Sequence, residues 1–353
     1  MTLAYQGGKW VVQPAKTTVE SRGFKYKDGT TSVAADAAIG TLIKTEHEAA
    51  IAYARQPLGV STDFEMSSYF SLVGDVAAIQ LVNQAQIDYV KNFINTSTDA
   101  TISSYKNIPV ISCSAPFKAG RNGASDFTDV APGATAAAPV GLQVRNPGDL
   151  YLYSNNNLQA VKIKGSDLKN WLEAAAKQFG QIDPAKTTEQ DLVPSYGTIY
   201  NYDVFYAENN GLTYQIDVTK PAGSRIVNLT YNGKAIADSD DFIVATNDYR
   251  AGGGGSVPGI DGSKTIIKSP DANQAVVSNY LTRLGTTGGK VTLATNGSAR
   301  SWSFVKTTTA GPVILRSAPG HLALAKSTGI NVVTAEGGLD ASGFAKYAID
   351  LSK

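Results

Sequence analysis

Apolar residues recur at three- and four-residue spacing in four stretches of the chain, and each predicts a helix with its own start or stop signal. The first runs from Ser32 through Ala38, Ile39, Leu42, Ile43, Ala50 and Tyr53 to a stop at Pro57. The second spans residues 75–94, with Asp75 as N-cap and Val76, Ile79, Val82, Tyr89, Val90 and Phe93 on or near one face. In the third, Ser166 caps a stripe of Leu168, Trp171, Leu172, Ala175 and Phe179, and Gly180 supplies a left-handed stop. The fourth opens at Ser269-Pro270-Asp271, continues through Val276, Val277, Tyr280, Leu281 and Leu284, and closes at Gly285.

Between these helices the pattern shifts to alternation and β-branched residues. Residues 149–153 and 158–163 read as strands around the polar run Ser154, Asn155, Asn156, Asn157. Residues 213–218, 225–231 and 241–246 follow, the second of them entering an Asn232-Gly233 turn. Shorter strands are expected at 290–295, 312–316, 330–334 and 347–351, and residues 10–12 form a strand with no partner nearby. Residues 116–147, rich in Gly, Ala, Pro and Asn, read as a long irregular loop carrying Arg121 and Arg145. The fold class is α+β, a mixed sheet with packed helices.

At 353 residues the chain is long enough for one large domain with attached segments, or two smaller ones. Its 31 Lys and Arg balance 30 Asp and Glu, so no whole-chain field draws it to a nucleic-acid polymer or a membrane, and any anion site is local. The lone Cys113 excludes an internal disulfide and a Cys-rich metal site. No apolar run reaches the length of a membrane span, and the opening residues have neither a basic region nor an apolar core of the signal-peptide kind.

The residues that could carry chemistry are few. A two-metal hydrolase centre of the His-rich kind needs several ligands around ions about 3.5–4 Å apart; only His47 and His321 are present, far apart in sequence. A carboxylate-only magnesium site stays open, without an Asp-x-Asp cluster to mark it. There is no Gly-x-Ser-x-Gly elbow, and Cys113 has no neighbouring histidine. The run Gly252, Gly253, Gly254, Gly255 lacks the Lys-Ser/Thr of a P-loop and the spacing of a dinucleotide fingerprint. It follows Tyr249, an aromatic just past a strand end, and Tyr153 precedes the asparagine turn. On facing loops these two rings would clamp a flat ligand, a stack worth roughly 1–3 kcal/mol per base.

Several stretches are similar to one family. They include residues 68–75 (SYFSLVGD), 115–121 (APFKAGR), 149–153 (DLYLY), 178–183 (QFGQID), 200–203 (NYD after Tyr200), and Ala245-Thr246-Asn247-Asp248-Tyr249-Arg250-Ala251 with its glycines. The chain resembles the C-terminal domain of 5'-nucleotidases, within the branch of periplasmic 2',3'-cyclic-nucleotide 2'-phosphodiesterases/3'-nucleotidases.

The resemblance implies residues 1–31 as the end of an N-terminal metallophosphoesterase domain, otherwise absent, 32–56 as a linker helix, and 57–353 as the nucleoside-binding domain. It implies that the catalytic residues and two divalent metal ions belong to that N-terminal domain, with no catalytic residue, metal or cofactor held by this chain, which is inactive alone. Tyr153 and Tyr249 match the aromatics that sandwich the base, Arg121 the substrate-facing arginine, and Asn155 or Asn156 the asparagine on the base edge. Asn247, Gly253 and Gly254 complete the implied substrate site. The expected ligands are nucleosides and 2',3'-cyclic and 3'-nucleotides, the expected partner is the N-terminal domain, and the expected location of the parent is the periplasm or cell surface. A 5'-nucleotidase-type hydrolase domain and a non-catalytic surface module on the same fold are the alternatives.

Overall fold

A computed structural model describes residues 1–18, 23, 32–197 and 199–353, in two compact units, 1–53 and 54–353. In the first unit the strand expected at 10–12 has a partner: Leu3–Gln6 pairs antiparallel with Lys9–Val12 across Gly7 and Gly8, whose φ angles of 59° and 80° make the tight turn. The single helix expected from Ser32 is two, Ala37–Leu42 and Lys44–Ala54, and Ile39, Leu42, Ile43 and Tyr53 are exposed. The spacing of those residues was right for a helix, but within this unit they line no core. Residues 19–22 and 24–31 of the segment assigned to an upstream domain lie outside the described residues.

The second unit is built on a five-stranded mixed sheet in the order Val204–Tyr206, Val110–Ser114, Asp241–Asn247, Asn157–Lys164, Thr265–Ala272. The central strand Asp241–Asn247 runs parallel to Val110–Ser114 and antiparallel to Asn157–Lys164. Both of its faces are covered, because successive side chains point to opposite sides. Phe242 and Val244 join a core with Trp171 and Leu168 of the helix Gly165–Ala175. Ile243 and Ala245 join a second core with the helices Ala77–Thr96 and Asn273–Thr286. Two four-stranded sheets accompany it: Lys234–Ala235, Ile226–Tyr231, Leu212–Ile216, Trp302–Phe304, and Val333–Leu339, Ala345–Ile349, Val313–Ser317, Gln190–Asp191. The α+β architecture read from the sequence is the observed one.

Several ends differ from expectation, each for a local reason. Asp75 does not cap the long helix, which starts at Ala77; its buried carboxylate accepts the Ser301 N–H instead. The cap of Gly165–Ala175 is Lys164 rather than Ser166, with the Lys164 N–H donating to Asp167 Oδ2 at 3.0 Å. Gly180 is not left-handed; a Cβ there would lie 2.7 Å from the Asp191 carbonyl, so close approach fixes its identity.

Residues 265–272 are a strand, and Pro270 is tolerated because that strand is the sheet's edge; Ser269 and Asp271 bond the Tyr89 hydroxyl rather than starting a helix. The helix begins at Asn273 and runs through Gly285, which the Gly59 carbonyl approaches closely. Residues 149–153 are not a strand: Pro147 opens a short helix, Asn146–Leu150, and Tyr151 is drawn inside by bonds to its hydroxyl. The segment 290–295 gives way to a π-helical turn, Leu293–Gly297. Within the expected long loop, Asp129–Val130 pairs with Met66–Ser67 and Val140–Gln143 with Pro57–Thr62.

Candidate functional site

The central strand ends at Asn247, and the chain turns into the short helix Asp248–Ala251. Asn247 makes that turn: its Oδ1 accepts the Arg250 N–H at 2.7 Å, and its Nδ2 donates to the Tyr151 hydroxyl at 2.9 Å. Tyr249 is thereby thrown outward, 53% exposed. Its ring rests on Gly254, where a Cβ would sit 2.4 Å from ring carbon Cε1. Gly253 and Gly255 have φ of 101° and 80°, so the glycine run folds back under the ring where other residues would be strained.

Beneath the turn lies Arg250, almost wholly buried. Its guanidinium grips Asp203 with two nitrogens, at 2.7 and 3.1 Å, and donates to the Gly254 carbonyl. Burial is the largest single influence and works against this cation, but the charge and hydrogen bond of Asp203, together with Cys113 and Tyr249, outweigh it and hold its pKa above the usual arginine value. Asp203 also accepts the Trp171 indole N–H at 2.7 Å, which anchors the pair to the helix Gly165–Ala175.

The facing wall comes from the asparagine turn. Tyr153 is 37% exposed and stands edge to face on Phe117, with ring centroids 5.0 Å apart; Phe117 meets the buried Tyr151 in the same way. Asn156 Nδ2 donates across to Asp248 Oδ1 at 3.3 Å, joining the walls at one end. Phe117, Tyr153, Asn155, Asn156, Asp203, Asn247, Tyr249 and Arg250 together line one cleft of ≈ 260 Å³. That is below the roughly 300 Å³ at which whole small-molecule pockets begin, so it suits a ring-sized portion of a ligand. Two larger clefts, of ≈ 620 and ≈ 660 Å³, contain none of these residues; size alone does not mark the site, whereas convergence of aromatic and amide groups does.

Of the residues singled out from sequence, the fold brings Tyr153, Tyr249, Asn155, Asn156 and Asn247 to this cleft and sets Gly254 directly behind Tyr249. Arg121 is not among the lining residues; it lies on an exposed loop closed by the Gly120 N–H on the Asp126 carbonyl at 2.8 Å. Sequence reasoning missed Phe117, Asp203 and Arg250. Only adjacency to Tyr249 pointed to Arg250, and its charge argued for a surface position.

Among the described residues no three of His, Cys, Asp and Glu gather where a metal ion would be held, so this donor set does not fit a two-metal centre. His47 is exposed, and His321 lies flat on Tyr69 with centroids 3.6 Å apart. Burial pushes the Cys113 thiol well above its usual pKa, so it stays protonated, against Thr246 Oγ1 at 3.5 Å.

Residues 57–261 match the family model described as "5'-nucleotidase, C-terminal domain". The chain belongs to this family. This 5'-nucleotidase C-terminal domain is 36% identical over 371 residues to a 2',3'-cyclic-nucleotide 2'-phosphodiesterase/3'-nucleotidase of Salmonella typhimurium, covering 100% of the chain and 54% of that protein. The protein of the same name from Haemophilus influenzae is 35% identical over 378 residues, covering 99% and 53%. A trifunctional nucleotide phosphoesterase protein of Bacillus subtilis is 38% identical over 295 residues, covering 80% of the chain and 18% of that protein. The domain thus spans about half the length of the first two relatives. Among solved structures, a 5'-nucleotidase precursor from Thermus thermophilus superposes with a TM-score of 0.52 at 12% identity, over 79% of this chain and 44% of that one, a likeness of fold. Among the described residues no helix is long and apolar enough to cross a membrane.

Proposed function

We propose that residues 57–353 are the nucleotide-binding and specificity domain of a 2',3'-cyclic-nucleotide 2'-phosphodiesterase/3'-nucleotidase, exported to the periplasm or cell surface. In this reading residues 1–31 end a metallophosphoesterase domain that carries two divalent metal ions and the catalytic groups, and 32–56 link the two. The work of the chain itself is binding and orientation. The observation that carries the reading is the convergence of Tyr153 and Tyr249, distant in sequence, on one ring-sized cleft.

The base stacks between the two tyrosines, which tolerates any base because each has a π-face. Asn155 reads the base edge. Both amide ends of Asn247 are committed to Arg250 and Tyr151, and the amino group of Asn156 to Asp248. The exposed Asn155 carries no hydrogen bond among the described residues and offers a donor and an acceptor side by side.

Without phosphate contacts, one base stack and a few hydrogen bonds give affinity in the high micromolar range or weaker. Adenosine titrated into the chain, followed by tyrosine fluorescence, is expected to saturate in that range. Tyr249→Ala is expected to weaken binding by about 1–3 kcal/mol; affinity equal to the parent's would sink the clamp. Gly254→Ala makes the same point without removing the ring. Its added methyl occupies the space on which Tyr249 rests, so binding falls about tenfold or more while thermal stability stays close to the parent's, since an exposed ring swings aside at little cost. Unchanged affinity in this variant would show that the ring's seat is irrelevant to the ligand.

A further inference from the structure

Asn273 is the first residue of the helix Asn273–Thr286 and is wholly buried. An asparagine near a helix start usually caps it through its side chain, but here the cap position belongs to Ala272 and makes no side-chain bond. The carboxamide turns inward and serves three elements. Its Nδ2 donates to the Asn156 carbonyl at 3.2 Å, alongside its own backbone N–H at 2.9 Å, and to the Tyr151 hydroxyl at 3.5 Å. Its Oδ1 accepts from Gln86 Nε2 of the long helix at 2.9 Å. Tyr151 passes the contact on, since its hydroxyl also accepts from Asn247, whose Oδ1 holds the Arg250 N–H of the turn that carries Tyr249.

We propose that Asn273 is a positioning residue for ligand binding, fixing the asparagine turn beside Tyr153 and the turn of Tyr249 relative to each other from outside the cleft. The inference rests on the nucleoside reading of that cleft for its ligand, while the coupling is a property of the fold. A buried amide is costly to leave unsatisfied, so each of its bonds resists displacement of the wall it holds. Asn273 thus holds the two walls from behind, beside the direct Asn156–Asp248 bond, without touching the ligand.

Two substitutions separate this role from general support. Asn273→Asp keeps the acceptor for Gln86 but sets an oxygen against the Asn156 carbonyl. Tyr151→Phe removes only the oxygen between Asn273 and Asn247 and keeps the ring packing, so it serves even where the first variant folds poorly. Ser112→Ala is the control: Ser112 Oγ lies 2.6 Å from Gln86 Oε1 and within bonding distance of Asn83 Oδ1 and the Ala245 carbonyl, and it bonds neither Asn273 nor Tyr151.

The measurements are hydrogen exchange of the Arg250 amide in the ligand-free chain and the adenosine dissociation constant, with the melting temperature alongside. Asn273→Asp and Tyr151→Phe are both expected to speed Arg250 exchange and to weaken adenosine binding about tenfold, the scale of one buried hydrogen bond. Ser112→Ala is expected to lower the melting temperature yet leave both readouts within about twofold. Unchanged Arg250 exchange in Tyr151→Phe and Asn273→Asp overturns the coupling, as does a Ser112→Ala effect equal to theirs. A parent chain that fails to bind adenosine at millimolar concentration removes the nucleoside reading instead, and the exchange measurement still decides the coupling.

Discussion

Arg250→Met is expected to lower the free energy of unfolding by about 3–5 kcal/mol, the cost of leaving one member of a buried ion pair without its partner. Asp203 is almost wholly buried at the cleft floor, and its remaining support would be the Trp171 indole N–H. A lone carboxylate in that position either stays charged in a poor medium or takes up a proton, and both destabilise the fold. The check is urea unfolding at neutral pH, where the midpoint should fall with the slope unchanged. A second variant decides the origin of the loss. Arg250→Met combined with Asp203→Leu removes both charges and should regain much of the stability, because a buried pair and an apolar replacement of similar volume are often nearly equivalent. A single variant within about 1 kcal/mol of the parent would contradict the buried geometry.

The second large effect is in the pH dependence of stability. Burial pushes the Asp75 carboxyl up to about 7, against the opposing pull of hydrogen bonds from Ser301 and Trp302 and of the Arg300 charge. In the unfolded chain the same group titrates near the usual aspartate value of about 3.9. Below that value both states hold the proton and folding carries no penalty. Between there and about pH 7 the unfolded chain has released the proton and the folded chain has not, so stability falls as pH rises. Above the folded value the loss is complete, on the order of 4 kcal/mol in total. Asp75→Asn removes the ionisation and should flatten this part of the profile, so that the variant gains on the parent from about pH 4 to pH 7 and no further. Unfolding midpoints for both proteins at three pH values test it, and parallel profiles would refute the assignment.

What the sequence made legible was local. The stripe of Leu168, Trp171, Leu172 and Ala175 is a helix on a sheet, and the Asn232-Gly233 turn is where the dipeptide placed it, with φ of 50° and 76°. Helix starts were less legible, because the same residue types serve other partners once the chain is folded. Asp75 bonds the Ser301 N–H just before the strand Trp302–Phe304, Ser269 and Asp271 bond Tyr89, and the Lys164 N–H is held by Asp167.

The candidate site divides along the same line. Tyr153, Tyr249 and the asparagines could be singled out because aromatics and amides beside turn-forming runs stand out in a sequence, and the fold brings them to one cleft. Their supports could not be, since a buried pair such as Arg250 and Asp203 gains its meaning from a contact across 47 positions of the chain. Phe117 looked like one apolar residue in a loop until two tyrosines met its ring.

The pairing of the central strand has a consequence for how the molecule is made. Asp241–Asn247 bonds two strands that precede it by long stretches of chain, Val110–Ser114 and Asn157–Lys164. Until it is synthesised and inserted, those two strands lack the neighbour between them, and their facing edges stay unpaired. Closing such long loops before any reward from pairing makes folding slow and leaves unpaired edges exposed during it. The strand that delivers Tyr249 to its place is therefore also the wedge between two earlier strands, with only the edge strand Thr265–Ala272 still to follow, and a nascent chain without it is the form most in need of protection from aggregation.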